Sequence, residues 1–355
     1  MLTGEKMILG LNFSELIELI LKVLIFPGLA FPFSFATIAI WFERKFLARI
    51  HLRIGPLHAG PFNRTGFMQP IADFIKLIQK EIIVPDNARK FVYNIAPIIT
   101  LLISLMSFAF IPYAPKPGGG YWVIFHTPIS LLVLLALFTS RPFIMVGAGW
   151  ASNSKYCTVG ALRAALQLLS YEVPMALSLA SIIIMSGTFD LARIVEAQSS
   201  IWFIFLQPIG FIVILIAMMA ELARRPFDIP FAEQEVVFGW STEYTGAQFA
   251  LIMVTEYIDL CAGASLITLF FLGGWTGPAI PFLNDISPIL SGIFWFLFKM
   301  AIVTVIIIMG RGVYPRVRID QLLDAGWTIG IPLAITQILI TLLTAQWWWP
   351  LIRGG

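Results

Sequence analysis

Charged residues are scarce in this chain. Only 12% of its 355 residues are Asp, Glu, Lys or Arg, whereas a typical soluble domain has about a quarter. Hydrophobic residues make up 59% of the sequence, which excludes an ordinary soluble fold and indicates an integral membrane protein. The net charge is only +3 and no block of basic residues is present, so nucleic-acid binding is not predicted.

Cysteine and histidine are almost absent as well. Cys157 and Cys261 are too few for an iron–sulfur cluster, which usually takes four thiolates, and both flank apolar segments as expected of buried thiols. The three histidines, His51, His58 and His126, form no HExxH motif. The sequence also contains no CxxC, GxSxG, P-loop or GxGxxG motif. We therefore predict no metal site and no covalently bound cofactor on this chain.

Apolar runs dominate the rest of the chain, and several reach the ~20 residues that a membrane-spanning helix needs. Eight runs qualify, at about 19–42, 94–114, 122–148, 159–186, 201–222, 246–275, 292–310 and 328–350. The intervening segments are mostly short, so the chain (1–355) is predicted to be a single all-α bundle of about eight membrane helices. No clear internal repeat is present, which argues against an inverted-repeat transporter.

The basic residues indicate the orientation of this bundle. Sixteen of the 23 Lys and Arg residues fall in the segments after runs 1, 3, 5 and 7, and five fall at the termini or in the other loops. Because basic loops stay on the cytoplasmic side, both termini are predicted to lie outside. Two large loops, 43–93 and 223–245, are then cytoplasmic.

The first of these loops contains an amphipathic pattern. In GFMQPIADFIKLIQKE, the apolar residues Met68, Ile71, Phe74, Ile75 and Ile78 share one helical face. Their spacing predicts a helix that lies along the membrane surface or packs beneath the bundle.

Acidic residues concentrate in one part of the chain. Seven of the 20 Asp and Glu residues lie between 221 and 259, and Glu221 and Glu256 fall at or within apolar runs. Glu172 lies well inside another run, in QLLSYEVPMAL. A carboxylate within the bilayer costs ~2.5–3.5 kcal/mol, so such residues usually face a bundle interior or a hydrated cavity.

Two interpretations of these acids remain open. They could form structural ion pairs with Arg163, Arg224, Arg225 or Lys299. Alternatively, burial could bring their proton affinity toward neutrality, so that they take up and pass on protons. The adjacent arginines are too few to neutralise seven acids, which favours proton handling for some of them. Glu233 and Glu235 are two residues apart and would point away from each other on a helix, so a metal cage is not predicted.

Several long motifs, taken in order, resemble one protein family. They are WFERKFLARIHLRIGP, PIADFIKLIQKE, ASNSKYCTVGALRAALQLLSYEVPMAL, IVEAQSSIWFIFLQPIGFI, ELARRPFDIPFAEQEVVFGWSTEYTGAQFALIMVTEYI and RVRIDQLLDAGW. Together they resemble the quinone-chamber membrane subunit (NuoH type) of respiratory complex I. The similarity extends over roughly residues 30–345.

The resemblance implies a place in a large assembly. Members of this family join the membrane arm to the peripheral arm, admit quinone as substrate and couple its reduction to proton translocation. The implied partners are the peripheral-arm subunits of the quinone site, the adjacent small membrane subunits and the lipid bilayer. Flavin and iron–sulfur clusters are expected on partner subunits, and the implied location is a prokaryotic plasma membrane.

The resemblance also implies roles for individual residues. Those expected at the quinone chamber are Glu43, Arg44, Asp73, Lys76, Arg224, Asp228, Glu233 and Glu235. Those expected on the proton path are Glu172, Glu221, Glu243 and Glu256. No residue of this chain alone is expected to be catalytic. Arg44 would provide a fixed positive charge for the negative charge that develops on the quinone.

One position departs from the family pattern. In the family, the PFD motif is followed by three alternating glutamates, whereas here Phe231 occupies the first of these positions and leaves Glu233 and Glu235. The loop therefore carries less negative charge than usual. We hypothesise that this change reflects a different quinone or a different electron-input module.

Two other functions use the same residues. A cation/proton antiporter would work as a single chain and would show a symmetric pair of broken helices, which the sequence does not favour. A subunit of a membrane-bound hydrogenase would retain the fold without using quinone. The complete ERK and ADFIKL motifs favour a complex that uses quinone over a hydrogenase-type complex that does not.

Overall fold

The computed structural model describes residues 13–60, 65–117, 119–278 and 287–353. These residues form helices joined by loops, with no strand beyond a single bridge between Pro115 and Tyr121. In chain order the first helices are α1 (Phe13–Leu24), α2 (Ala30–Ile50), α3 (Gln69–Gln79), α4 (Lys90–Phe108), α5 (Ser130–Ala151), α6 (Lys155–Ser186), α7 (Leu191–Glu196) and α8 (Phe203–Leu206). The remaining ones are α9 (Pro208–Glu221), α10 (Glu233–Val236), α11 (Gly246–Phe271), α12 (Pro288–Val313), α13 (Ile319–Ala325), α14 (Ile331–Leu343) and α15 (Ala345–Arg353).

Within the described ranges, six helical stretches are long and apolar enough to cross a membrane. They are α4, α5, α6, α11, most of α12, and the continuous stretch Ile319–Leu343 that joins α13 to α14 through a wide turn. The chain is therefore an all-helical membrane protein. The 21-residue helix α2 does not meet the same criterion, because Glu43, Arg44, Lys45 and Arg49 lie in its C-terminal half.

Two of the predicted apolar runs are each interrupted beside a proline. The run at 19–42 is divided between α1, which ends at Leu24, and α2, which begins at Ala30, with Pro27 in the break. The run at 201–222 is interrupted at Gln207, directly before Pro208. Proline lacks a backbone N–H and its ring clashes with the preceding turn, which accounts for both interruptions. Residues 122–129 of the third run form a loop, so that helix begins only at Ser130.

Helix α11 lies at the centre of the bundle. In its most apolar stretch 78% of the residues are buried, against 22–56% in the other five candidate spans. It packs against α2, α3, α4, α9 and α12. A second layer forms around the long helix α6, which contacts α5, α9 and α14. Acids on α11 therefore face other helices, because little of α11 reaches the outside of the bundle.

The predicted amphipathic helix is α3, which carries Pro70 in its first turn and packs against α2 and α11. Its apolar residues divide between two surroundings. Phe74 lines a cavity against α11, whereas Ile71, Ile75 and Ile78 are 38–53% exposed. The side chains that remain exposed form an apolar strip suited to lipid or to a neighbouring subunit.

Candidate functional site

An apolar cavity of about 360 Å³ lies between α2, α3 and α11. Its lining is mainly hydrophobic, with Arg44, Asp73, Lys76 and Lys80 on one side. The apolar residues of the lining are Ile40, Pro70, Phe74, Leu77, Phe249, Ala250, Met253 and Val254. Such a lining, with a few charged groups at one edge, suits a ligand with a long hydrocarbon part and a polar end.

A second cavity, of about 280 Å³, adjoins the first. We call it the arginine cavity, because its lining contains five arginines and three acids, namely Arg44, Arg53, Arg224, Arg225, Arg311, Glu43, Asp228 and Glu256. Arg44, Met253 and Tyr257 line both cavities and form the boundary between them. An apolar space thus leads directly into a space with excess positive charge.

Glu43 is the buried centre of the arginine cavity. Only 2% of its surface is exposed, and its carboxylate accepts hydrogen bonds from Arg224 Nη1 at 3.0 and 3.3 Å and from Arg311. The Arg224 guanidinium also lies 4.4 Å from the centre of the Tyr257 ring. Two arginines on one carboxylate leave a net positive charge, and their ion pairs join α2 and α12 to the loop after α9.

Arg311 was not among the residues expected at the site. The sequence signal was the basic segment GRGVYPRVRID, in which Arg311, Arg316 and Arg318 fall within eight residues. Pattern alone could not show that Arg311 reaches Glu43, since the two residues are 268 positions apart.

Arg44 and Asp73 form an ion pair that joins α2 to α3 at the edge of the apolar cavity. The amide of Gln69 donates a further hydrogen bond to Asp73 at 2.9 Å. Lys76 lies one turn further along α3, is exposed and lines the same cavity. The structure therefore brings together Arg44, Asp73 and Lys76 along the apolar cavity.

Asp228 anchors the loop between α9 and α11. Its carboxylate accepts a hydrogen bond from Arg316 Nη2 at 2.9 Å and lies 3.5 Å from Arg225 Nε. Burial raises the pKa of Asp228 above its usual range, although the charges of Arg316, Arg311 and Arg225 act in the opposite direction. Gln167 on α6 fixes the same loop by donating to the carbonyl oxygens of Ala220 and Phe227, both at 2.7 Å.

Glu235, the second of the two glutamates after the PFD motif, lies apart from Asp228. Glu235 forms an ion pair with Arg163 on α6 and lines neither cavity. The side chain of Glu233 lies outside the residues that the structure describes. Phe231 does line the arginine cavity, and its ring centre lies 6.0 Å from that of the buried Trp240.

The acids expected on the proton path are spread along the bundle. Glu256 on α11 lines the arginine cavity, whereas Glu221, at the end of α9, is only 8% exposed. Glu172 on α6 lies within electrostatic range of Glu221. Glu243 lies apart from the cavities, where its backbone carbonyl accepts a hydrogen bond from the hydroxyl of Tyr93 at 2.7 Å. The structure thus brings three of the four acids to the central helices and leaves Glu243 beside α4.

The ion-pair interpretation holds for part of the acidic group. Arg163 and Arg225 pair with Glu235 and Asp228 of this group, whereas Arg224 pairs with Glu43, which lies outside it. Lys299 pairs with no acid in the described residues and instead donates to three backbone carbonyl oxygens, that of Gly274 among them at 3.1 Å. The possible pairing of Lys299 with one of these acids is not found in the described residues, where its ammonium instead meets the open carbonyls after α11.

Comparisons with known proteins identify the family of this chain. Residues 22–342 match the family described as NADH dehydrogenase. The H subunits of NADH-quinone oxidoreductase from Bacillus thuringiensis (strain Al Hakam), Bacillus cereus (strain AH187) and Bacillus anthracis (strain A0248) are similar to this chain. Each is 40% identical over 327 residues, which cover 91% of this chain and 94% of the relative. The resemblance seen in the motifs is confirmed, and the chain belongs to the NADH dehydrogenase family that includes these NADH-quinone oxidoreductase subunits.

Proposed function

We propose that this chain is the membrane subunit of a complex I-type NADH–quinone oxidoreductase and that its two adjoining cavities form the quinone chamber. The observation that carries this proposal is the shared boundary at Arg44, Met253 and Tyr257 between an apolar space and an arginine-rich one. A quinone has a flat polar head and an isoprenoid tail, so the two spaces match its two parts.

The charge of the arginine cavity suits quinone reduction. Electrons arriving at the quinone place negative charge on its two oxygens before protons neutralise that charge. Five arginines against three acids provide fixed positive charge at this point, in a site that requires little reorganisation. Arg44 lies at the boundary of the cavities, where it can meet the head group, and Asp73 holds its guanidinium in place.

The acids of α11 provide a route along which protons could leave the chamber. Glu256 lines the arginine cavity, and Asp259 lies three residues further along, on the same side of the helix. Asp259 pairs with Arg141 on α5, and Glu221 lies within electrostatic range of both this pair and Glu172. We propose that protonation changes at the reduced quinone pass through Glu256 to these acids, with Glu243 contributing at the edge of the loop.

The electron-transfer groups belong elsewhere in the proposed assembly. Quinone is the substrate, and the flavin and iron–sulfur clusters are carried by partner subunits rather than by this chain. The partners include the peripheral-arm subunits that complete the quinone site and the adjacent small membrane subunits. Glu233, Glu235 and the exposed strip of α3 are candidates for contact with them.

The proposed topology follows from the charge distribution. The six long helical stretches, together with the α1–α2 and α8–α9 segments, give eight membrane passages with both termini outside. Loops 43–93 and 223–245 then face the cytoplasm of a prokaryotic cell, and residues 1–355 form one membrane domain.

A matched pair of arginines on α2 tests the chamber. Arg44 lines both cavities, whereas Arg49 is also exposed but lines neither. In the purified complex, Arg44→Ala and Asp73→Ala should each reduce kcat/KM for quinone about tenfold, which corresponds to about 1.4 kcal/mol of lost interaction. Arg49→Ala should leave it within twofold.

The comparison is valid only if the variant complexes assemble as fully as the unmodified one. Native gel electrophoresis checks this. Full-rate quinone reduction by both the Arg44 and the Asp73 variants would exclude the proposed chamber. Failure of the unmodified complex to reduce quinone, or to respond to quinone-site inhibitors, would instead favour a hydrogenase-type complex or an antiporter.

A further inference from the structure

Three basic residues lie at one end of the helices α4, α5 and α6. Arg89 directly precedes α4, Lys90 begins α4, and Lys155 begins α6. The backbone N–H of Arg89 donates to the carbonyl oxygen of Ala151, the last residue of α5, at 2.9 Å, and a short turn then leads from α5 to Lys155. All three helices are long and apolar enough to cross a membrane, so this end of them lies at an edge of the apolar layer.

Arg89 is held against an exposed tryptophan. The central carbon of its guanidinium lies 3.7 Å from the centre of the Trp150 ring, and 51% of Trp150 is exposed. So close an approach lays the guanidinium flat on the ring, which covers one face and leaves the N–H groups at the edge. Those N–H groups can donate in pairs to the oxygens of a phosphate. Within the described residues, the Arg89 side chain has no ion-pair partner of its own.

The region carries more positive than negative charge. We use the name basic patch for Arg89, Lys90, Trp150 and Lys155. The three basic side chains are exposed, and none of them forms an ion pair with any residue that the structure describes. Asp86 lies three residues before Arg89, and Glu243 lies beside α4, but neither carboxylate pairs with the patch. The positive charge of the patch is therefore available to an outside anion.

Exposed aromatic residues flank the basic patch. Phe91, in the first turn of α4, is 77% exposed, and Tyr156, in the first turn of α6, is 54% exposed. Tryptophan and tyrosine favour the boundary between lipid headgroups and acyl chains, because their rings are apolar and each carries one polar group. The composition around the patch is therefore that of a surface at the level of the lipid headgroups.

We infer that the basic patch binds the phosphate of an anionic phospholipid of the surrounding bilayer. Arg89, positioned by Trp150, donates to the phosphate oxygens, and Lys90 and Lys155 add positive charge. Basic side chains beside membrane helices attract anionic headgroups, and the phosphates lie just outside the apolar layer, where these three helices end. No residue of the patch lines either cavity, so this site is separate from the proposed quinone chamber.

Photolabelling by a phospholipid tests this site. The whole complex is placed in phosphatidylcholine vesicles that contain a small fraction of phosphatidylglycerol with a photoreactive group at the top of one acyl chain. Labelled peptides of this chain are identified by mass spectrometry, and phosphatidylcholine with the same photoreactive group corrects for general exposure to lipid. The competitors are unlabelled phosphatidylglycerol, unlabelled phosphatidylcholine and free inorganic phosphate.

We expect labels at the start of α4 and in the turn between α5 and α6, which only unlabelled phosphatidylglycerol removes. The double variant Lys90→Gln with Lys155→Gln should lower this labelling at least about fivefold, because each basic side chain near an anionic lipid adds to its binding. The control Arg49→Gln with Arg318→Gln also removes two exposed basic side chains, but outside the patch, and should stay within twofold. Trp150→Leu should lower the labelling about threefold, whereas Trp150→Phe keeps a ring under the guanidinium and should retain most of it.

Three results would overturn the inference. Equal losses in the two double variants would mean that total positive charge, not this patch, attracts the lipid. Competition by inorganic phosphate as strong as that by phosphatidylglycerol would indicate a site for a free anion. Absence of specific labels in the two segments would exclude a lipid, and chemical cross-linking of Lys90 or Lys155 to a neighbouring subunit would then identify a protein contact. The competition experiments use the unmodified complex, so they decide the question even if a variant fails to assemble on a native gel.

Discussion

The arginine cavity and the mid-bundle group of Arg141, Asp259, Glu221 and Glu172 contain the same residue types in opposite proportions. In the cavity, five arginines face three acids. One of these acids, Glu43, accepts hydrogen bonds from two arginines. In the mid-bundle group, one arginine lies among three acids. The cavity therefore has excess positive charge and the mid-bundle group has excess negative charge.

Under the proposed function, this difference in charge separates a site that binds an anion from a group that carries a proton. Excess arginine favours the ionised form of neighbouring carboxylates and stabilises further negative charge, as a site for quinone reduction requires. Excess carboxylate with little compensating charge leaves acids that can exist with or without a proton. Glu256 lies at the junction, since it lines the cavity and precedes Asp259 by three residues on α11.

The largest effect should come from breaking the charge centre of the cavity. Arg224→Ala removes a buried partner of Glu43 and should cost about 3 kcal/mol of stability, as expected when one member of a buried ion pair is lost. The adjacent Arg225 is the matched control, because 39% of its side chain is exposed and Arg225→Ala should cost less than about 1 kcal/mol. Thermal unfolding of the purified complexes measures both. Equal losses would show that Glu43 does not depend on Arg224.

A smaller effect is expected from reducing the positive excess without removing an arginine. Phe231 lines the arginine cavity, so Phe231→Glu adds a fourth acid there. We expect KM for quinone to rise about fivefold with little change in kcat, a loss of about 1 kcal/mol of binding. Phe231→Gln, of similar size but uncharged, separates charge from shape. An unchanged KM and rate in the glutamate variant would mean that the charge at this position does not affect quinone binding.

The smallest effect concerns Asp228 and pH. Because burial raises the folded-state pKa of Asp228, the folded protein holds this proton more tightly than the unfolded chain does. The contribution of Asp228 to the free energy of unfolding is therefore greatest below its pKa in the unfolded chain. It falls as the pH rises through its pKa in the folded protein. Asp228→Asn should flatten the pH dependence of the unfolding midpoint on the acidic side of neutrality. A steeper dependence in the variant would contradict the assignment, and Asp320→Asn, on the exposed start of α13, is a control.

Much of the site could be predicted from the sequence because its motifs are local. The family resemblance supplied Glu43 and Arg44 through the ERK motif and Asp73 and Lys76 through ADFIKL, and these motifs lie within α2 and α3. The long apolar runs likewise predicted α4, α5, α6 and α11, since their composition alone requires burial or lipid.

The rest depended on contacts between distant parts of the chain. Arg311 reaches Glu43 across 268 residues and Arg141 reaches Asp259 across 118, and no local pattern encodes such pairs. Lys299 was one of four possible partners for the acids, and among the described residues it donates instead to backbone carbonyls after α11. The break between α1 and α2 was overlooked because Pro27 lies within an uninterrupted apolar run, and hydropathy does not register a proline.

Photoaffinity labelling tests the quinone chamber most directly. The whole complex is illuminated with a quinone that carries a photoreactive group near its head, and the labelled peptides of this chain are identified by mass spectrometry. The account predicts labels in α2, α3 or the first half of α11, around Arg44, Phe74 and Met253, and their loss when excess unmodified quinone is present. Specific labelling confined to other segments of this chain or to other subunits would contradict the assignment of the two cavities.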